Sequence, residues 1–291
     1  NKITNAYRLV SGWEVSDTID QPSSSKIAIE WYQSKFQSAY AEMEDHFSKY
    51  RLSDSLMTIY KLIWDDFCSW LLEMVKPGYQ QPIDSTTFDA VIRAFENNLK
   101  VLHPFMPFLT EEIWHHIALR TPDEALIIAN YPVQKDFDNE IILKFDMASA
   151  IISGIRTIRK DKNIPFRDPI KLYVINRENN NHQFNSLIRK LTNTSAIDEV
   201  LEKVDGVSFR VKSNEYFVPI SEENIDVDAE IEKLESELKR AKGFLSGIQK
   251  KLSNERFVQN APNQVIVLER KKESDTLSKI KTILTSLDRL K

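Results

Sequence analysis

Across residues 227–252 the apolar positions Val227, Ile231, Leu234, Leu238, Ala241, Leu245, Ile248 and Leu252 step alternately by four and three. That alternation lays the apolar side chains along one seam of a helix, the pattern of a coiled coil, and the seam needs a second helix to cover it. At a rise of about 1.5 Å per residue such a helix is roughly 40 Å long. Pro262 can open the second helix, in which Leu277, Ile280, Leu284 and Leu287 keep the spacing while Arg270 and Glu273 interrupt it toward the tip. Ser253-Asn254 and Ala261-Pro262 bracket the connection. The last third of the chain is therefore expected to fold back on itself as an antiparallel hairpin that projects from a body.

The body must be mainly helical. In residues 102–114, Pro104 and Pro107 stand three apart inside an apolar run. Proline disfavours a helical residue before it and is tolerated as the first residue of a new helix, so one helix stops at Pro104 and another starts at Pro107. Phe105, Met106 and Phe108 are expected to be buried in the corner. Residues 1–10 read as a helix with Ile3, Tyr7 and Val10 on one face, and Ser25 can cap a helix carrying Tyr32, Phe36, Met43 and Phe47. Ser53 can cap a longer one over 54–76, with Leu56, Ile59, Ile63, Phe67, Trp70 and Met74 inward, and its wide apolar face makes it central to a bundle. Ser85 or Thr87 opens the helix that leads into the corner, and a further helix spans about 139–162. A strand at 170–175, a short helix with Phe184, Leu187 and Leu191, and strands at 207–211 and 216–220 joined by residues 212–215 make a small α/β unit. The fold class is mainly α, divided as a helical bundle (1–147), the long helix end plus α/β subdomain (148–224), and a coiled-coil arm (225–291).

Charge is informative by region and not in total. With 39 basic and 43 acidic residues the formal charge is -4, so no overall positive field advertises a nucleic-acid partner. Residues 154–171 carry six bases against two acids, which the helix dipole alone would favour at a helix C-terminus. Residues 226–238 hold six acids and one lysine, whereas 239–291 hold thirteen bases and five acids. A solvated hairpin can have that distribution by accident. It is also what binding a phosphate backbone at a distance from an acidic body requires, because screening confines attraction to about 10 Å. Cys68 is the single cysteine, read as a core thiol, so disulfides and a four-ligand zinc site are excluded. His115 and His116 point to different sides of a helix and are poor metal ligands as a pair. No apolar run reaches a membrane span and no signal-peptide plan opens the chain, which points to the cytoplasm. It begins at Asn1 inside a helix, as an excised fragment would.

Several stretches are worded like known ones. H-P-F-M-P-F-x-x-E-x-x-W, from His103, resembles the corner in the anticodon-binding helical domain of class I aminoacyl-tRNA synthetases of the valine, isoleucine, leucine and methionine group. N-K-x-x-N-A-x-R, covering Asn1, Lys2, Asn5, Ala6 and Arg8, is similar to the segment that opens that domain in valine-type synthetases, where it faces the tRNA. Thr4 stands where the family often has an aromatic. I-R-x-I-R-K-x-K-x-I-P-F-R-x-P-I, from Ile155, is similar to the segment joining bundle to α/β unit in these synthetases. K-L-S-N-E-R-F-V-x-N-A-P, residues 251–262, resembles the tip of the C-terminal coiled-coil arm of valyl-tRNA synthetases and is the most specific of these motifs.

The resemblance implies a C-terminal, tRNA-binding part of a ligase: a bundle that reads single-stranded anticodon bases, and an arm that touches the tRNA outer corner. It implies tRNA contacts at Lys2, Asn5, Arg8, Arg156 and Arg159 on the anticodon side. On the arm, the candidates are Lys242, Lys250, Lys251, Arg256, Arg270 and Lys272. Neither H-I-G-H nor K-M-S-K-S, the family's nucleotide-contacting signatures, occurs, and six glycines form no Gly-rich loop. No catalytic residue, metal or cofactor is expected here; ATP and magnesium would serve the missing catalytic domain, which joins valine to its tRNA. The expected partner is a valine tRNA, with no DNA and no membrane, and the chain is expected to be a monomer. Two other readings stay open: the equivalent part of an isoleucine-type synthetase, and a non-enzymatic helical scaffold that binds a protein through its coiled coil.

Overall fold

The computed structural model describes residues 2–121, 123–177, 182–219, 227–253, 266, 268–277, 280 and 284, without the side chains of 182, 227–234 and 237. They fall into two compact units, one of residues 1–156 and 169–219 and the other of residues 157–168 and 220–291. Among the described residues no helix is long and apolar enough to cross a membrane.

The first unit is a helical bundle with a small sheet. Its helices are α1 (Lys2–Ser11), α2 (Ser23–Ser48), α3 (Leu52–Lys61), α4 (Leu72–Val75), α5 (Ser85–Leu102), α6 (Pro107–Ile117) and most of α7 (Asn139–Asp161). Strands β1 (Val15–Ser16) and β2 (Ile83–Asp84) make a two-residue parallel bridge. Trp31, Tyr32, Phe67, Phe95, Leu71, Leu72 and Ile152 are fully buried, each stabilising the fold by about 1.5 to 3 kcal/mol. Aromatic rings run through this core, from Phe95 to Phe67 (5.1 Å) to Tyr32 (5.6 Å), and from Trp31 to Phe145 (4.0 Å) to Trp70 (5.2 Å). The Tyr32 hydroxyl donates to Asn98 Oδ1 (2.8 Å), so this phenol is buried with a partner.

The expected helix over 54–76 is one rod with an interruption. Leu62–Leu71 between α3 and α4 is a π-helix, whose wider i→i+5 turn shifts the apolar stripe. Leu71 is fully inside while Trp70 is half-buried, and Leu56 is exposed. Ser53 does not cap α3, and α2 starts at Ser23 with Ser25 buried inside it. Asp84 caps α5, accepting from Thr87 N at 2.7 Å. Asp66, on the π-helix, is largely buried 3.9 Å from Lys35. Desolvation pushes its carboxyl up to about 6, only partly opposed by Lys35. Cys68 is half-buried, not a core thiol, and burial pushes it up to about 11, which makes it inert.

The corner between α5 and α6 forms where the two prolines require it, with Pro107 as the first residue of α6. Thr110 locks it: its hydroxyl lies 2.8 Å from Met106 O, to which it donates, and 2.8 Å from His103 Nδ1. Trp114 is buried, donating to Glu124 O (2.9 Å), with the Arg120 guanidinium 3.6 Å over its ring. The expectation for the preceding apolar residues is corrected. Phe105 is half-buried against Phe47, and Met106 and Phe108 are exposed, Phe108 by 91%. Starting a helix at Pro107 turns position 108 outward while Thr110, Ile113 and Trp114 face in.

The α/β part follows. β3 (Ile170–Ile175) crosses through α8 (Asn185–Thr192) to β4 (Thr194–Glu199) in parallel, while β6 (Asn214–Val218) lies antiparallel to β3 and to β5 (Val207–Val211), in the order β4-β3-β6-β5. The β5–β6 hairpin turns on Lys212 and Ser213 alone, with Lys212 at φ 52°, so β6 begins earlier than residue 216. Gly154 lets α7 approach the sheet, since a Cβ there would meet the Phe209 ring at 2.4 Å. Lys190 on α8 donates to Met74 O (2.7 Å) and Lys76 O (3.0 Å), tying this part to the bundle through carbonyls left open at the end of α4.

The second unit contains the end of α7, the turn 162–168, and α9 (Val227–Leu252), whose 26 residues span about 39 Å. Ala241 and Ile248 are buried and Leu238, Leu245 and Leu252 half-buried, as the seam requires. Residues 268–277 are helical and lie against the end of α9: Gln249 donates to Glu273 (3.3 Å), and Lys251 stands 3.9 Å from Glu269. On this second segment Glu269, Thr276 and Ile280 are buried while Leu277 and Leu284 are exposed. The seam expected through Leu277 and Leu284 is therefore displaced by one position at Thr276. Pro262, Leu287 and most of the motif 251–262 lie outside the described residues, as do the side chains of Val227, Ile231 and Leu234.

Candidate nucleic-acid interface

α1 carries the first group of candidate contacts, because Ile3, Ala6 and Val10 bury one face and leave Lys2, Asn5 and Arg8 on the others. Lys2 is partly consumed within the fold. Its Nζ donates to Trp64 O (2.7 Å) and Ser69 Oγ (2.8 Å) and lies 4.5 Å over the Trp64 ring. Ser69 also donates to Trp64 O (3.0 Å), so this lysine staples α1 to a turn of the π-helix. Asn5 and Arg8 are exposed. Arg8 stands at a cleft of about 230 Å³ between α1 and α6, lined also by Thr4, Tyr7, Leu109, Glu112 and His116. Tyr7 and His116 close its far wall with stacked rings 6.2 Å apart. An exposed guanidinium beside aromatic rings and a carboxylate can hydrogen-bond a base edge or a phosphate and stack on a base. His116, set aside in the sequence as a metal ligand, joins the site through its ring, a role its spacing did not signal.

Arg156 is exposed on α7, its Nη2 donating weakly to Leu191 O (3.4 Å) and its guanidinium 6.0 Å from the Trp70 ring. Arg159, the other candidate contact on α7, is turned inward. It is only 6% exposed. Its two terminal nitrogens donate to Pro165 O (2.8 Å) and Asp168 O (2.9 Å). The helix rotation that buries Ile155 and Ile158 carries Arg159 inward as well, and the carbonyls of the following turn satisfy its charge. The structure thus places Lys2, Asn5 and Arg8 on α1 and turns the Arg159 side chain into the fold.

On the arm, Lys242, Lys250 and Arg270 are exposed, as are Lys239, Arg240 and Lys271. Lys251 and Lys272 are exposed to different degrees and share a fold-internal partner, the buried Glu269, at 3.9 and 2.8 Å. The hydrogen bond from Lys272, joined by the charge of Lys251, lowers the Glu269 carboxyl from its ordinary value, and the two lysines help pin the two segments. Arg256 lies outside the described residues. The exposed cations of α9 flank the buried seam residues Ala241 and Ile248, so covering the seam leaves the charges available.

Residues 30–174 match the family model of the anticodon-binding domain of tRNA ligase, and residues 226–291 match that of the valyl tRNA synthetase tRNA binding arm. The chain is 55% identical over its whole length to a valine–tRNA ligase of Christiangramia forsetii and 48% identical over 99% of its length to one of Parabacteroides distasonis. At 31% identity it also matches over its whole length a valine–tRNA ligase of Enterococcus faecalis. It spans 33%, 33% and 34% of these relatives, respectively. Two family models that follow one another along the sequence, with valine–tRNA ligases matching this chain over nearly all of its own length, make it a member of the valyl-tRNA synthetase family.

Proposed function

We propose that the chain is the tRNA-binding part of a valine–tRNA ligase, with α1 and the α1–α6 cleft directed at the anticodon and α9 at the folded outer corner of the tRNA. The observation that carries this reading is the division of labour on α9. Of its seam residues with described side chains, Ala241 and Ile248 are buried and Leu238, Leu245 and Leu252 half-buried, while Lys239, Arg240, Lys242 and Lys250 remain exposed on this helix of about 39 Å. The anticodon-binding and tRNA-binding-arm descriptions of the two matched models support the same partner. Valine tRNA is the partner we assign, bound by a monomer in the cytoplasm, with DNA excluded as a physiological ligand.

ATP and magnesium belong, in this reading, to the part of the relatives that this chain does not span. Among the described residues no three His, Cys, Asp or Glu converge as metal ligands, and the six glycines form no phosphate-cradling loop. Joining valine to tRNA is accordingly proposed for the whole ligase and not for this chain alone.

The test reverses charge at Lys242 and Lys250 together and measures the dissociation constant for a valine tRNA over a range of salt. For every phosphate that the variant no longer neutralises, the log-log slope should flatten by roughly 0.7 to 0.9, with folding unchanged by circular dichroism. An unchanged slope in folded protein contradicts RNA binding by α9 and favours a protein partner for the arm.

A further inference from the structure

The buried Arg159 is a costly group to place inside a fold that also leaves an aromatic ring outside it, and the two lie together. The turn after α7 is closed by Ile164 N donating to Arg159 O (2.8 Å) and by Asp168 N donating to Pro165 O (3.2 Å), with Asn163 at φ 51° and Ile164 buried. From within, the Arg159 guanidinium reaches the carbonyls of Pro165 and Asp168 and stands 5.8 Å from the Phe166 ring. Both ends of the loop are therefore fixed to one side chain. At its crest Phe166 is 60% exposed and the Arg167 side chain 87% exposed, with Arg167 Nε 3.7 Å from the half-buried Asp168. Exposed ion pairs of this kind hold little energy, so the pair with Asp168 does not by itself keep the exposed Arg167 from a phosphate. Lys160 and Lys162 are also exposed beside them.

We propose that this turn is a second RNA-binding element, in which Phe166 stacks on an unpaired nucleotide of the tRNA and Arg167 meets the adjacent phosphate, while Arg159 is the positioning residue that holds both in place. The inference rests on the tRNA-binding reading above. Two observations select RNA as the occupant. The crest is basic, with Lys160, Lys162 and Arg167 against Asp161 and Asp168, and an aromatic ring flanked by cations is the chemistry that holds single-stranded nucleic acid without reading its sequence. The turn also belongs to the same compact unit as residues 226–291, which match the tRNA-binding arm.

The test uses the full chain and an unmodified valine tRNA transcript at fixed salt. Phe166→Ala should weaken binding roughly tenfold, the order expected for removing one base stack. Phe166→Trp should retain affinity and add a fluorescence signal that is quenched on titration with tRNA. Arg159→Ala and Phe166→Ala together should weaken binding by less than the product of the two single effects, because Arg159 acts through the turn that carries Phe166 while still holding Arg167. Thermal melts report folding; if Arg159→Ala does not fold, Arg159→Lys takes its place in the pair. Wild-type affinity in folded Phe166→Ala, or an unquenched tryptophan at position 166, overturns the stacking role. Additive losses in the double variant overturn the positioning role. If the wild-type chain binds no tRNA, the proposed function itself has failed, a result distinct from a bound tRNA that ignores Phe166.

Discussion

Replacing Asp66 by Asn should stabilise the protein near neutral pH and do less so in mild acid. Asp66 is largely buried, with Lys35 at 3.9 Å as its ion-pair partner, and burial raises its carboxyl from 3.8 to about 6. Below pH 3.8 the group is protonated in both states and costs nothing. Between 3.8 and about 6 the folded protein holds a proton that the unfolded chain releases, so stability is lost as pH rises through this window. Above it the carboxylate is charged in both states and its full cost is present. At about 1.4 kcal/mol per pH unit that cost approaches about 3 kcal/mol at pH 7.5, against about 1 kcal/mol at pH 4.5. An amide of the same shape avoids it while giving up a long ion pair worth about 0 to 1 kcal/mol. Asp66→Asn should therefore gain roughly 2 to 3 kcal/mol at pH 7.5, a rise in Tm of roughly 5 to 10 °C. The gain should shrink by about 2 kcal/mol at pH 4.5. Urea titrations of both proteins followed by circular dichroism at the two pH values give the difference directly. A gain that is the same at both, or an Asn variant less stable at pH 7.5, would refute the argument that desolvation governs this side chain.

Other consequences are simpler to read. Trp114→Ala removes a buried indole, its bond to Glu124 O and the platform under Arg120, and should cost about 3 to 5 kcal/mol in the same urea assay. Phe108→Ala, at a position 91% exposed, should change stability by less than about 0.5 kcal/mol, and a larger effect would contradict the outward placement of that ring. Arg8→Ala should weaken tRNA binding by about 1 to 3 kcal/mol and blur discrimination between anticodons; an equal weakening across all tRNAs would demote Arg8 to a phosphate ligand. Deleting residues 226–291 should leave a cooperative thermal melt, since the packed core of the bundle and sheet lies in the other compact unit.

What could be read in the sequence were features set by local rules. The seam of α9 follows from spacing alone, and the α5–α6 corner follows from what two prolines forbid. β3 and the β5–β6 pair announced themselves through alternating apolar residues between turn signals. β4 did not, because Ser195, Asp198 and Glu199 dilute its apolar pattern; only pairing with β3 makes it a strand. The π-helix was hidden for a different reason. Residues 54–76 carry an apolar face wide enough to satisfy α or π spacing, and the choice is made by what packs on it, including Lys2 against Trp64. Side-chain direction in the candidate site was the least legible. Arg156 and Arg159 are three residues apart on α7, yet one is exposed and the other buried, because the carbonyls of the turn 162–168 offer Arg159 a full set of acceptors that no residue pattern encodes. Likewise Glu269 takes a buried position on the second segment of the arm because Lys251 and Lys272 meet it there, which displaces the seam to Thr276.

The most direct test of the account is whether anticodon and outer-corner recognition are separable on this one chain. Dissociation constants would be measured for a valine tRNA, for the same tRNA with only its anticodon changed, and for each of these with the Lys242 and Lys250 charges reversed. The account predicts that changing the anticodon weakens binding in both proteins by the same factor, and that charge reversal weakens both tRNAs equally, so the two effects multiply. Binding that ignores the anticodon, or an anticodon preference that disappears when α9 loses its charges, would contradict the assignment of base recognition to the bundle and backbone recognition to the arm.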